Sequence, residues 1–377
     1  MDFNYEKYAQ KINNEKSAEL LLNAISRNCV KIGRPVSVME VCGTHTHEIF
    51  KSGVRQLLPA NLKLKSGPGC PVCVTDNEYI DGAVVLAQSP DNIILTFGDM
   101  LKVTGSFSSL SLAKSGGADI RIIYSPLDSI KIANDNPEKN IIFLSVGFET
   151  TAAHTAFLVK EAAQSGITNI YIYEGNKTVP EALKLIAFHP DVKIDGFLLP
   201  GHVSAVTGVD YYRPALTECK IPSIICGFEY IDILYSLASL TEMIAAGKNE
   251  IRNEYFRVVS EHGNKKAQEL ISEVFEPCGA NWRGLGLLNN SGLALKPKYK
   301  NFSAAFKFSE LLSRRYEHKF KNTPAIENCR CGDVLLSIIT PAECPLFGNE
   351  CTPENAIGPC MVSSEGTCAA FYKYAQN

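Results

Sequence analysis

Thirteen cysteines stand in this 377-residue chain, and their grouping is the first chemical signal. Six lie in the last 49 residues, Cys329, Cys331, Cys344, Cys351, Cys360 and Cys368, in the pattern C-x-C-x12-C-x6-C-x8-C-x7-C. Prolines and glycines such as Pro341, Pro353, Gly348 and Gly358 are interleaved, so the segment turns often and can wrap thiolates around a compact centre. Four thiolates suit structural zinc or an iron–sulfur cluster. Zinc usually leaves paired CxxC knuckles, which this tail lacks, so its irregular spacing fits a loop-wrapped cluster better. Scattered buried cysteines are the third reading.

The second group is GPGCPVC at 67–73, where Cys70 and Cys73 form a CxxC pair. Thr75 and Glu78 read as a T-x-x-E capping box, which places a helix start just past Cys73. Thiolates at a helix start are favoured by exposed amides, which points to redox or metal chemistry, with half of a zinc site as the competitor. The third group, CGTHTHE at 42–48, leaves the apolar run VSVMEV. Cys42 therefore falls beyond the carboxyl end of a strand, where open α/β sheets bind ligands. One thiol, His45, His47 and Glu48 within seven residues suit a soft transition metal. The two imidazoles can point the same way only in extended structure; otherwise one of them packs or caps. Cys29, Cys219, Cys226 and Cys278 stand alone and read as buried apolar residues.

Positioning these groups requires elements that end in loops at one edge. Apolar runs at 36–41, 92–97, 120–125, 140–146, 168–173, 194–199 and 222–226 alternate with helical patterns at 76–88, 107–115, 151–165, 179–187 and 230–247. That alternation predicts parallel sheets with helices on both faces, divided into two sheets with a boundary near 123–140. On this reading Glu149, Thr150, Thr151 and His202 face the same crevice as Cys42, although helix capping explains the threonines equally well. Residues 1–34 read as amphipathic helix able to pack against the cysteine-rich tail. No glycine-rich loop matches a nucleotide-binding fingerprint.

Composition narrows the class. Apolar residues are 45% and charged residues 20%, with a net charge of −3 and no long run of one sign. Nothing marks a nucleic-acid platform. The N-terminus lacks the continuous apolar stretch of a signal peptide, and the segment 222–247 is broken by Glu229, Asp232 and Glu242, so no membrane span is expected. The expected location is the cytoplasm, where cysteines serve as thiols, ligands or catalytic pairs rather than a disulfide framework.

Together, CGTHTHE (42–48), GPGCPVC (67–73), YSPLD (124–128), GFETTAAHT (147–155), PGHVSAVTG (200–208), GFEYIDIL (227–234) and the tail CRCGDVL…CPLFG…CTPENAIGPCMVSSEGTCAA resemble the HypD family of hydrogenase maturation factors, from about residue 15 to the C-terminus. The resemblance implies two Rossmann-like α/β domains, 35–125 and 126–235, and a mixed, mainly helical third domain of 1–34 and 236–377 carrying a 4Fe–4S cluster. It implies cluster ligands Cys329, Cys344, Cys351 and Cys368, and a nearby thiol/disulfide pair of Cys331 and Cys360. It further implies that Cys42 anchors iron of the Fe(CN)2CO unit of nickel–iron hydrogenase, with Cys70 and Cys73 as a redox couple and His45, Glu149 and His202 in support. A HypC-type chaperone and a HypE-type cyanide donor, with HypF upstream, are the implied partners. Two other readings compete: a stand-alone iron–sulfur thiol–disulfide reductase, and a zinc-stapled binding module.

Overall fold

Valine, isoleucine, leucine and phenylalanine run almost unbroken through several short segments, and strands of that composition are stable only when both faces are covered. In the computed structural model, which describes residues 15–313 and 328–375, they form two parallel sheets. The strands are β1 (Val36–Glu40), β2 (Leu62–Ser66), β3 (Asn92–Thr96), β4 (Ile120–Ile122), β5 (Asn140–Gly147), β6 (Ile170–Asn176), β7 (Gly196–Pro200), β8 (Ser223–Cys226), β9 (Ile251–Asn253), β10 (Phe275–Trp282) and β11 (Gly286–Leu295). One sheet has the order β2-β1-β7-β8-β9 and the other β4-β3-β5-β6. β10 and β11 pair antiparallel as a hairpin.

All seven strands expected from the sequence form, β4 shorter than expected and β6 running on to Asn176. The sheets, however, do not follow the chain order that a boundary near 123–140 implies. β3 and β4 pair with β5 and β6, while β1 and β2 join β7, β8 and β9 across the chain. The four-stranded unit is thus inserted between β2 and β7. Alternation of strand and helix patterns specifies parallel sheets but not which strand lies beside which.

The helix Glu15–Ile32 also differs from expectation. It packs on the helix Tyr230–Ala245, sharing an apolar cluster in which Leu21, Ile25 and Cys29 meet Leu237, Leu240 and Met243. Asn28 Nδ2 donates to the Ala238 carbonyl and to Thr241 Oγ1, each at 3.1 Å. This stripe therefore serves the β1 sheet rather than the tail; residues 1–14 lie outside the described set.

The cysteine-rich tail is joined to the body through apolar packing. Cys331, Cys344, Cys351, Cys360 and Cys368 belong to the same buried cluster as Met39, Cys70 and Cys73. The hairpin acts as a brace: Arg283 N donates to the Val74 carbonyl at 2.9 Å, and its guanidinium Nε donates to the Thr75 carbonyl at 2.8 Å. At the turn, Gly284 has φ +77°, and a Cβ there would stand 2.2 Å from Gly332 Cα. Only a glycine pair lets the tail approach that closely. Among the described residues, no helix is long and apolar enough to cross a membrane.

On β6, burial pushes the Glu174 carboxyl up to about 7. Its folded pKa exceeds the unfolded one, so the native state holds the proton more tightly and stability falls as pH rises from about 4.5 to about 7. Glu174→Gln should flatten that slope in denaturant unfolding. At pH 8 it should stabilise the protein by at most about 3 kcal/mol, and by less in proportion to the water that reaches the carboxyl.

Candidate functional site

Cys42 follows β1 and occupies the N-cap position of the helix Gly43–Lys51, in extended backbone with φ −154° and ψ 126°. Its side chain makes no capping hydrogen bond. The thiol is 8% exposed, and burial pushes its pKa up to about 11, with the Glu365 carboxylate adding to the shift and the His45 and Thr44 amides opposing it. A thiolate at this position therefore needs a positive partner, and a metal ion is the natural one.

Glycines set the second thiol group against the first. Gly67 N donates to the Glu40 carbonyl at 2.8 Å, and Gly43 N donates to the Gly69 carbonyl at 3.0 Å. A Cβ at Gly69 would stand 2.2 Å from Cys42 N, so this loop can pass only with glycine there. Cys70 then caps the short helix Pro71–Val74, its sulfur accepting from Cys73 N at 3.2 Å. Cys70 and Cys73 are joined as a disulfide with Cα atoms 5.2 Å apart. A short helical turn thus starts between the two cysteines, and the helix expected over 76–88 starts past Cys73 at Asn77. Thr75 is not the cap of that helix: its hydroxyl donates to the Pro71 carbonyl, and Asp76 caps Asn77–Ala87 by accepting from Tyr79 N.

The helical backbone of 43–51 separates the two histidines, as their spacing allows. His45 is fully buried, its Nε2 lies 2.9 Å from the Gly227 carbonyl, and its ring stacks on Phe228 at 4.6 Å. Burial lowers its pKa to about 4, which keeps it neutral, with Nε2 as the donor and Nδ1 free to accept. His202, in the helix Gly201–Thr207 that follows β7, stacks on the same phenyl ring at 3.9 Å. Burial lowers its pKa, while the Glu365 carboxylate acts in the opposite direction. His47 instead meets the Tyr374 hydroxyl at 3.4 Å, and Glu48 pairs with Lys51 at the surface.

Two participants escaped the sequence reading. Phe228 supplies the shared stacking surface. Glu365, from the tail, accepts from Thr44 Oγ1 at 2.8 Å and packs on Gly43, where a Cβ would come within 2.5 Å of its own Cβ. Only their place in quoted motifs, GFEYIDIL and the final cysteine loop, hinted at either. Glu149 opens the helix Glu149–Gln164. It is 3% exposed and its Oε1 accepts from Val179 N at 2.9 Å and from the Tyr211 hydroxyl at 2.6 Å. Among the described residues no hydrogen bond joins it to Cys42, and the Thr150 carbonyl is engaged by His154 Nδ1.

In the tail, Cys331 and Cys360 have their sulfurs 2.9 Å apart. Together with Cys329, Cys344, Cys351 and Cys368 they line one small enclosed cavity, walled by Val334, Leu346, Phe347 and Met361. Among the described residues no three His, Cys, Asp or Glu side chains converge as a single-ion shell requires. Sulfur-only donors spread round an apolar space suit a polynuclear cluster, where each thiolate takes a different iron. The helix Pro359–Val362, which carries Cys360, packs against Pro71–Val74, and Cys73 Sγ lies 3.7 Å from the Pro359 carbonyl oxygen. The three cysteine groups are therefore contiguous. Of the solitary cysteines, Cys29 and Cys226 are buried as expected, whereas Cys219 and Cys278 are only half-buried.

Residues 16–375 match the HypD family model, described as the hydrogenase formation hypA family. The chain is 43% identical over 344 residues to the hydrogenase maturation factor HypD of Escherichia coli (strain K12), covering 91% of this chain and 90% of that protein. It is 39% identical to the protein of the same name from Rhodobacter capsulatus, over 98% of each. A putative hydrogenase expression/formation protein of Methanocaldococcus jannaschii is 38% identical, over 96% of this chain and 98% of its own length.

Because the Gly69 contact is with backbone, it cannot be relieved by a rotamer change. Gly69→Ala should destabilise the fold by about 1–3 kcal/mol, an ordinary overpacking cost. It should also displace the loop from Cys42, which would react faster with a thiol reagent. Unchanged unfolding and unchanged Cys42 labelling would show that the loops are not held together by this contact.

Proposed function

Because the chain belongs to the HypD family of hydrogenase maturation factors, we propose that it is a redox scaffold on which, with a HypC-type chaperone, the Fe(CN)2CO unit of nickel–iron hydrogenase is assembled. Cyanide arrives from a HypE-type donor charged by a HypF-type partner. The observation that carries this reading is the Cys42 thiol, held at a strand end against a CxxC pair by a backbone contact.

Each residue then has a task that follows from its surroundings. Cys42 anchors the incoming iron, a cargo whose cyanide and CO ligands favour low-spin iron(II) and a soft thiolate. Losing the thiol proton needs an acceptor, and the neutral His45 Nδ1 has no hydrogen-bond partner among the described residues. Glu365, fixed by Thr44, and His202 set the charge on the open side of the site. Cys70 and Cys73 form the thiol redox pair: opening their disulfide takes two electrons and two protons. Cys331 and Cys360 form a second such pair between Cys73 and the tail cavity. A 4Fe–4S cluster held by Cys329, Cys344, Cys351 and Cys368 would supply electrons singly.

A stand-alone thiol–disulfide reductase fits less well. Such an enzyme offers its attacking sulfur to a protein substrate, whereas Cys70 is 3% exposed and Cys73 fully buried.

Two variants test the division of labour. Cys351→Ala should lower iron content and visible absorbance in anaerobically purified protein, as should the same change at Cys329, Cys344 or Cys368; full iron in two such single variants would remove the assignment. Cys42→Ala should keep that absorbance and the fold. It should lose the CN and CO infrared bands of the complex with the HypC-type chaperone, and bands at wild-type intensity would leave Cys42 without an anchoring role.

A further inference from the structure

Lys177 is a buried amine that the iron-site reading leaves idle. It follows β6 directly, and its backbone is pinned on two sides. Its N donates to the Gly147 carbonyl at 2.9 Å, and it pairs with Gly292 of the β10–β11 hairpin. The residue is 4% exposed. Among the described residues its Nζ has no hydrogen bond and no ion pair. It stands over the Trp282 ring with the centroid 6.0 Å away, at the outer limit of a cation–π contact. Yet Nζ is not sealed as the orphaned oxygens of Glu40 and Glu149 are, so it keeps a face open to solvent.

That face opens on a cavity of about 540 Å³ between β6, the hairpin and residues 297–306, of which Lys177 forms part of the wall. The charged groups it feels, Asp76 and Cys278, line the same cavity. The size suits a small organic molecule.

A buried ammonium without a counterion is unfavourable, and it is relieved by gaining an anion or by losing the proton. The cavity opposes the first. Its carboxyls, from Asp76, Glu78, Glu174 and Glu276, outnumber Lys177 and Lys300, so an entering anion meets repulsion. Asp76 is itself engaged as a helix cap, accepting from Tyr79 N at 3.0 Å. Burial lowers the Lys177 pKa, with Asp76 and Cys278 acting in the opposite direction. A desolvated lysine held in a pocket and facing open space is a nucleophile.

We propose that this cavity takes a small neutral aldehyde or ketone, which Lys177 Nζ captures as an imine while its apolar part lies against Leu293, Pro297 and Phe306. The nitrogen attacks the carbonyl carbon, a C–N bond forms, and the carbonyl oxygen leaves as water with both amine protons. No oxidant or reductant is consumed. The site shares no residue with the Cys42 pocket, and the proposal stands whether or not iron is assembled there.

Benzaldehyde is the probe, with benzoate as the anionic counterpart of the same shape. The full chain is treated near neutral pH with cyanoborohydride, whose hydride converts the imine into a stable benzylated amine. Peptide mass spectrometry should find Lys177 labelled at least about tenfold faster than Lys300, a small share of what holding a reactant beside a nucleophile can give. Lys300 is the fitting reference, because it is exposed at the edge of the same cavity. Benzoate should not slow the labelling, and Cys42→Ala should label as the wild type does. Lys177→Arg keeps the charge but cannot form the imine, so the fast phase should vanish. Because that variant could disturb the fold, the Lys177 to Lys300 rate ratio in the unaltered protein decides the matter. A Lys177 labelled no faster than Lys300 would overturn the proposal. So would protection by benzoate, which would make Lys177 a counterion for acids instead.

Discussion

The arrangement of sulfur depends on a place where no side chain fits. Gly69 lies so close to Cys42 that a single added carbon would overlap its amide nitrogen. Hydrogen bonds from Gly67 to Glu40 and from Gly43 to Gly69 fix the two loops in register around that contact. Cys70 and Cys73 therefore start their helical turn from a position referenced to the end of β1. The tail meets the same turn through Pro359 and Cys360, and meets Gly43 through Glu365. The first two thiol groups are set against each other by backbone geometry, which is stiffer than contacts between flexible side chains.

Burial decides the chemical state of what these contacts bring together. Cys42 is kept protonated and His45 neutral by the same cause, removal from water, and neither has an opposing charge able to reverse it. The site holds a thiol and an unprotonated imidazole in a low-dielectric pocket. Such a pair changes state when a cation arrives, which is what the proposed scaffold role requires.

How much of this could be read in advance divides along physical lines. The seven strands whose composition is nearly continuous apolar were legible, because burial on both faces leaves that mark. β2 was not, since LKLKS alternates apolar residues with lysines at a sheet edge. β10 and β11 were hidden by Pro277 and by glycines. The cysteine, histidine and CxxC loops announced themselves by residue type and spacing. Glu365 and Phe228 did not, because their roles exist only once distant segments meet. Neighbouring cap candidates misled in a similar way: Thr75 and Asp76 are adjacent, and Asp76 prevails because the Thr75 hydroxyl is committed to the preceding turn.

The interleaved sheet order carries a consequence for how the protein is made. Ser37 N donates to Asp195 Oδ2 across 158 residues of chain, beside the pairing of β1 with β7. On the ribosome β1 and β2 emerge first yet must wait, unpaired on one side, until the whole β3–β6 unit has been synthesised. The strands of that unit pair only with one another, so its sheet can form early and shorten the loop that β1 and β7 must close. Residues 274–299 complete its core later. The tail that delivers Glu365 and Cys360 leaves the ribosome after the strands of both sheets. Cys42 is thus translated well before the segments that surround it, and its pocket stays unformed until they follow.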